Sequence, residues 1–156
     1  MTVLSSISRA IYYLITSKLQ FPSTYTNKIV RTDDGKEFKI FRHMHLKSSN
    51  QSVTGSIFIV RFQFKKFSHN TNIRLSRIPI LLIAGFPGFR DKLWMIDWKT
   101  DYWQGLYQWE NVEAIEEYKK SFVLGIMNKR AIDKSMSYEI IKDVSFDDYI
   151  QNRILK

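Results

Sequence analysis

The chain has 156 residues, 44% hydrophobic and 15% aromatic, which is enough for one domain with a real core. It contains no cysteine, which excludes disulfides, zinc–thiolate sites, thiol nucleophiles and iron–sulfur clusters and fits a cytoplasmic location. The formal net charge is +9, and eight Lys/Arg against three Asp/Glu make residues 1–55 the most basic part; a solvated basic surface explains this without a partner.

The first predicted element is an amphipathic N-terminal helix. Its apolar residues recur at helical spacing: Val3, Ile7, Ala10, Ile11, Leu14 and Ile15. The longest apolar run, residues 10–15, is far shorter than the roughly 20 residues that span a bilayer, and there is no signal-peptide pattern. We expect the helix to dock on the domain and expect no membrane partner; a helix lying in a membrane interface is the alternative.

A β-hairpin is predicted next, because the Asp34-Gly35 pair is a strong turn signal between strand-like residues 28–31 and 37–46. We therefore divide the chain into a helix-and-hairpin extension, residues 1–55, packed on a main domain, residues 56–156.

The main domain is predicted to follow the order β-α-β-β-α-β. The strands are expected at residues 57–64, 92–98, 103–110 and 136–144, and the helices at 73–84 and 112–122. Asn111 is a good N-cap for the second helix. This order predicts an α+β fold with a ferredoxin-like βαββαβ core.

Alternation along the strands predicts that both faces of the sheet are apolar. One face carries the large rings, and the other keeps five apolar residues: Ile57, Ile59, Leu93, Met95 and Leu106. Both helices of this fold pack on one face, so the other needs a cover. We expect a homodimer through this second sheet face; cover by the chain's own N-terminal hairpin is the alternative.

The sequence resembles the dimeric α+β barrel superfamily, in its branch related to antibiotic-biosynthesis mono-oxygenases. The resemblance is carried by Pro87-Gly88-Phe89 and by residues 92–97, 104–111 and 114–118. It covers residues 56–144 and leaves the first 55 residues outside. It implies a homodimer with a pocket between each sheet and its own helices, and oxidation without a conventional cofactor.

The resemblance assigns no catalytic residue. The haem-degrading members use a proximal His where this chain has its second predicted helix, residues 112–122, and that stretch contains no His. We expect no cofactor, and the catalytic residues, if the chain is an enzyme, are unknown.

The predicted ligand site is a slot for a small planar or apolar molecule. Its candidate residues are Trp94, Trp98, Trp103, Tyr107, Trp109 and Arg61. A close-packed aromatic core is the competing interpretation of the rings. Arg61 is interpreted either as an anion anchor or as the partner of Glu139 or Asp97.

Other polar candidates have stronger structural interpretations. His43 and His45 share one strand face, but two His without a nearby carboxylate do not make a metal site, and we expect none. Asp97 is a candidate general base or a strand-end turn residue, and His69 is expected in a turn.

We interpret the chain as a cytoplasmic, mono-oxygenase-like protein whose enzymatic status is open, with a non-enzymatic ligand-binding or structural dimer as the alternative. RNA binding like that of the RRM, which has the same element order, is disfavoured and we expect no nucleic acid. After Gly105 the chain has Leu106, Tyr107 and Gln108 where an RRM needs two aromatic residues flanking a small one.

Overall fold

Residues 2–49 and 51–156 are described by a computed structural model; Met1 and Asn50, both within the predicted extension, lie outside them. The helices are α1 (Val3–Ile15), α2 (His69–Leu75), α3 (Ile80–Ala84), α4 (Val112–Lys119), α5 (Phe122–Arg130) and α6 (Phe146–Gln151). The strands are β1 (Leu19–Gln20), β2 (Ile29–Arg31), β3 (Glu37–Leu46), β4 (Thr54–Phe62), β5 (Phe89–Asp97), β6 (Tyr102–Trp109) and β7 (Ser137–Ser145). The strands form one antiparallel seven-stranded sheet.

The predicted ferredoxin-like core is confirmed. Strands β4, β5, β6 and β7 are joined by α2/α3 and α4/α5, and they lie in the order β5-β6-β4-β7. The first predicted helix is divided into α2 and α3, with Pro79 at the N-cap position of α3. The second corresponds to α4, which ends at Lys119, and Ser121 caps a further helix, α5. The Asn111 cap is also confirmed, since its side chain accepts a hydrogen bond from Ala114 N at 2.9 Å.

The N-terminal extension belongs to the same sheet. Strands β2 and β3 form the predicted hairpin, and Gly35 at its turn has φ +81°, a left-handed conformation that glycine adopts without strain. Strand β3 then pairs with β5, from Lys39 opposite Ile96 to His45 opposite Asp91. The extension and the main domain therefore share one hydrogen-bonded sheet.

The second sheet face is covered by the chain itself. Its five apolar side chains are all buried: Ile57, Ile59, Leu93, Met95 and Leu106. They cluster with Tyr25 and Val30 from the extension and with Phe146, Tyr149 and Ile150 of α6. The alternative of cover within the chain is therefore what the structure has, with α6 as an unexpected part of that cover. Because the apolar side chains of this face are buried within the chain, no second copy is needed to cover them. A dimer formed through this face would require α6 to move away.

Helix α1 forms as predicted but docks through the edge of its apolar stripe, at Ala10. Its buried residues are Ser6 and Ala10, and Ser6 Oγ donates a 2.6 Å hydrogen bond to Leu82 O of α3. Gly85 makes this close crossing possible, because a Cβ there would lie 1.8 Å from Ser6 O. Most of the predicted apolar stripe faces outward, with Ile15 79% exposed, as does Leu4 beside it at 78%. Within the described ranges, no helix has the length and apolar character needed to cross a bilayer.

Candidate functional site

Four of the five predicted ring residues lie in a closed core between the sheet and its helices. Trp94, Trp103, Tyr107 and Trp109 are buried, whereas Trp98 is 52% exposed just beyond the end of β5. The Tyr107 and Trp109 rings stack with their centroids 6.3 Å apart. None of the five rings lines any of the three clefts of about 740, 270 and 260 Å³ on the surface. The expected slot among these rings is occupied by the rings themselves.

The largest of the three clefts lies on the outer side of this aromatic core. It has a volume of about 740 Å³ and runs between the first turn of α1, residues 86–88 and α4; we call it the α1–α4 cleft. Phe86 forms its inner wall, with its ring 5.3 Å from that of Tyr118 and 6.4 Å from that of Trp109. One side chain therefore separates the cleft from the buried rings.

The shape of the cleft depends on Gly88. This residue has φ +77°, and a Cβ there would lie 2.7 Å from the Ala114 Cβ of α4. Its carbonyl accepts a 2.7 Å hydrogen bond from Glu110 N, which ties the loop to the start of α4. The turn thus brings the backbone against the helix and leaves the space beside it open.

The rim of the α1–α4 cleft is acidic although the protein is basic. Glu110, Glu113 and Glu117 line it together with a single lysine, Lys120. Lys120 Nζ donates a 2.7 Å hydrogen bond to Glu117, and this bond lowers the pKa of Glu117 and raises that of Lys120. Glu110 and Glu113 have no side-chain hydrogen bond or ion pair in the described part of the chain. Two carboxylates are thus free to face a ligand.

Behind Phe86, the aromatic core holds a buried polar chain. Lys92 Nζ donates a 2.7 Å hydrogen bond to the Tyr107 hydroxyl, which also accepts a longer one, 3.5 Å, from Tyr118. Burial lowers the pKa of Lys92 well below its usual range, with repulsion from Arg42 acting in the same direction. Burial also raises the pKa values of both tyrosines. The ring faces of Trp94 and Tyr107 lie 4.3 and 4.2 Å from the lysine nitrogen and favour its cationic form.

Arg61 faces the second side of the sheet, away from the rings. Its Nη1 donates to Asp34 at 2.7 Å, and its Nε and Nη2 donate to Gln104 Oε1 at 3.0 and 2.9 Å. Within the chain its partners are thus Asp34 and Gln104, and neither Glu139 nor Asp97 bonds to it. The guanidinium lines a cleft of about 270 Å³, but its bond with Asp34 joins the hairpin turn to the sheet and leaves no free charge for an anion.

The two histidines of β3 share a carboxylate that sequence reasoning did not supply. His43 Nε2 and His45 Nδ1 each donate to Asp91 Oδ1 at 2.9 Å. Burial acts to raise the pKa of Asp91, but the hydrogen bonds from the two histidines outweigh it and hold that pKa below its usual value. The described residues contain no group of three or more His, Cys, Asp or Glu side chains arranged to hold a metal ion.

Asp97 and His69 have structural roles. Asp97 accepts hydrogen bonds from Lys99 N and the Thr100 hydroxyl, which fixes the β5–β6 turn as the strand-end interpretation predicts. His69 begins α2; its Nδ1 accepts from Trp103 Nε1 at 2.9 Å and its Nε2 donates to Asp101 at 2.8 Å.

Two residues that the sequence analysis did not single out, Lys92 and Asp91, could have been found from strand alternation. Lys92 has the same strand parity as Trp94 and Ile96, so alternation places its amine on the ring face. Asp91 likewise shares the parity of Leu93 and Met95 on the second face. No comparable signal marked the cleft, because it is formed by elements far apart in the chain.

Comparison with known proteins identifies the fold. No family model matches the chain, and no curated protein matches it. A solved monooxygenase-like protein from Listeria innocua has a TM-score of 0.55 and 11% identity, over 87% of this chain and 88% of that one. A haem-degrading enzyme from Listeria monocytogenes has a TM-score of 0.53 and 13% identity, over 84% and 92%. An anthrone oxidase-like protein has a TM-score of 0.53 and 11% identity, over 70% and 54%.

The structural similarity covers more of the chain than the sequence resemblance does. A share of 87% of the chain exceeds what residues 56–156 can supply, so the similarity extends into the N-terminal extension. The chain therefore has the ferredoxin-like α+β fold of antibiotic-biosynthesis monooxygenase-like proteins, at sequence identities that show the fold alone.

Proposed function

We propose that the chain is a mono-oxygenase-like enzyme that takes a small planar or apolar substrate in the α1–α4 cleft and oxidises it with dioxygen, without a bound cofactor. The observation that carries the proposal is the cleft itself, whose volume of about 740 Å³ lies in the range of small-molecule sites. Leu82, Phe86 and Phe122 supply apolar walls. The fold is one that monooxygenase-like and anthrone oxidase-like proteins share.

The cleft offers the groups that such a reaction needs. A substrate with an acidic CH₂ next to a planar ring system gives up a proton, and its carbanion is oxidised by dioxygen. Overall, R₂CH₂ and O₂ give R₂C=O and H₂O, so the substrate supplies the electrons and one oxygen atom leaves as water. Glu110 and Glu113, carboxylates with no partner among the described side chains, are the candidate bases at the rim. The apolar walls would hold the ring system.

The first test is binding. Anthrone, flavin, haem and a quinone analogue are titrated into the protein while tryptophan fluorescence and ligand absorbance are followed. We expect saturable quenching by at least one planar ligand, since Trp109 lies directly behind Phe86. Glu113→Phe, which fills the cleft from α4, should weaken this binding by about tenfold or more. Glu116→Phe is the matched control, because Glu116 is on the same helix but does not line the cleft.

The second test is turnover. Oxygen uptake is measured with anthrone, subtracting its oxidation without protein, and we expect one O₂ consumed per ketone formed. Glu110→Gln and Glu113→Gln should together lower the rate by about 100-fold or more if either is the base. Saturable binding without oxygen uptake favours the non-enzymatic ligand-binding alternative, and no binding by any of the four probes rejects the site.

The proposal is made for a single cytoplasmic chain. Both faces of its sheet are buried within the chain, and the residues proposed to bind the substrate, Phe86, Glu110 and Glu113, line one cleft of that chain. Trp94, Trp103, Tyr107 and Trp109 enter this proposal as part of the packed core, and contact of Trp109 with a ligand in the cleft requires Phe86 to move. Trp98 is exposed and does not line the cleft.

A further inference from the structure

Helix α1 presents an apolar face to solvent. The face is formed by Val3, Leu4, Ile11, Leu14 and Ile15, all exposed, with Leu4 and Ile15 the most exposed of the five. They recur at helical spacing along one side of α1, which adjoins the buried Ser6 and Ala10 at Val3. A contiguous apolar patch of this kind on a folded domain indicates an interaction surface.

The outward orientation of this face is fixed by packing. Ser6 bonds Leu82 O, Arg9 Nη1 donates to Gly85 O at 3.3 Å, and the Gly85 backbone lies against the Ser6 carbonyl. These contacts need small side chains on the inner side of α1, so the helix cannot roll over to bury its larger residues. The packing of the helix thus keeps its apolar face exposed to solvent.

The charges at the C-terminal end of this face are basic, whereas its N-terminal end, at Val3, borders the acidic rim of the α1–α4 cleft. The first 32 residues contain no Asp or Glu, and the first acidic residue is Asp33. Lys18 lies three residues after the end of α1, and Lys47 N donates a 2.8 Å hydrogen bond to its carbonyl, so two exposed lysines lie together beyond the C-terminal end of the helix. The carboxylates nearest the other end, Glu113 and Glu117, lie across the cleft from Val3, and Glu117 is paired with Lys120.

We propose that this face is a docking surface for an anionic lipid bilayer, on which α1 lies in the interfacial plane. Apolar side chains would insert among the acyl chains while Lys18 and Lys47 meet the lipid phosphates. The fold of the domain and its cleft would remain outside the membrane.

Charge and area favour a lipid surface over a second copy of the chain. Each chain carries a formal net charge of +9, so two copies repel one another, whereas an anionic bilayer attracts either. A stable protein interface buries about 800 Å² on each partner, more than five side chains of one short helix provide. The proposal does not depend on the proposed enzymatic function.

The test is sedimentation of the full-length protein with phosphatidylcholine vesicles, with and without phosphatidylserine. We expect binding to the phosphatidylserine vesicles alone, weakened by salt. Leu4→Ser with Ile15→Ser should lower this binding by about tenfold or more. Ile126→Ser, at a 45% exposed isoleucine on α5, is the matched control and should bind like wild type. Circular dichroism melting checks that each variant is folded.

Two results would overturn the proposal. One is equal binding, or none, to vesicles with and without phosphatidylserine. The other is a wild-type dimer in light scattering that Leu4→Ser with Ile15→Ser converts to a monomer, because the face would then be covered by a second copy.

Discussion

A single carboxylate, that of Asp91, holds two histidine side chains of the neighbouring strand. His43 and Asp91 are buried, and His45 is partly exposed, so the cluster stabilises the pairing of β3 with β5 in a region of low dielectric. We predict that Asp91→Asn lowers the free energy of unfolding by about 2 kcal/mol at neutral pH, because it removes a charge-assisted acceptor from two donors.

Asp101→Asn is the matched control for this prediction. Asp101 also accepts a hydrogen bond from a histidine, His69, at 2.8 Å, but its own side chain is largely exposed. Its loss should cost under about 1 kcal/mol by chemical denaturation. Equal costs for Asp91→Asn and Asp101→Asn would show that burial does not strengthen the cluster.

The same cluster sets a pH dependence whose sign follows from the pKa shifts. The hydrogen bond to Asp91 raises the pKa of His45, so its stabilisation is complete below about pH 6.5 and is lost as pH rises through the folded value. The pKa of Asp91 is lowered, so its stabilisation is present above about pH 3.9 and is lost as pH falls through the folded value. We expect NMR titration to give His45 a pKa above 6.5, and Asp91→Asn to bring it down.

The effect of Lys92 on the pH dependence of stability is opposite in sign to that of His45. The folded pKa of Lys92 lies well below that of the unfolded chain, so between the two values the unfolded state binds more protons and stability increases with pH. We predict that Lys92→Met abolishes this increase and changes stability at pH 7 by under about 1.5 kcal/mol, or raises it. Lys142→Met, at an exposed lysine of β7, should keep the wild-type slope. A loss of about 3 kcal/mol or more on Lys92→Met would instead show that the ammonium–ring contacts dominate.

Among the elements, α1 shows the limit of periodicity as a guide to packing. The spacing of Val3 to Ile15 correctly predicts an amphipathic helix, but it does not say which side meets the domain. The packing of α1 against Gly85 is so close that only small side chains fit between them. Ser6 and Ala10 are therefore buried, and the larger Leu14 and Ile15 are exposed. That choice depends on a residue some 80 positions away and could not be inferred from the helix alone.

Two glycine substitutions test this crossing. In Gly85→Ala the new Cβ would lie 1.8 Å from Ser6 O, and backbone atoms must shift. We expect a loss of about 1–3 kcal/mol in denaturant unfolding and faster proteolysis within α1. Gly125→Ala, inside α5, meets nothing within 4 Å and should gain about 0.5–1 kcal/mol from helix propensity. Similar effects of the two changes would argue against a tight α1–α3 contact.

For the whole molecule, the sequence was sufficient for the fold and insufficient for the site. Alternation and capping identified βαββαβ and assigned the two sheet faces correctly, because these signals are local. The cleft, the Asp91 cluster and the cover over the second face arise from contacts between distant segments. Four of the five ring residues lie on one face as predicted, with Trp98 exposed beyond the end of β5. The packing of the buried rings around Phe86 and Tyr118 is decided by how α4 approaches the sheet.

The cover over the second sheet face determines whether the protein is a monomer or a dimer in solution. Since α6 covers this face in the chain itself, we expect light scattering at micromolar concentration to give 18.6 kDa. Ile150→Asp places a charge in the fully buried part of that cover, and displacing α6 would expose Ile59 and its apolar neighbours. Each such side chain left in water costs about 1.5–3 kcal/mol, so this variant should self-associate or unfold.

Gln151→Asp makes the same change of charge at an exposed position of α6 and should remain at 18.6 kDa. Circular dichroism separates self-association of a folded Ile150→Asp variant from unfolding. A wild-type mass of twice 18.6 kDa that Ile150→Asp reduces to a folded monomer would contradict the argument. It would show that α6 lies at an interface between two copies, and the homodimer expected from the sequence would then form through this element.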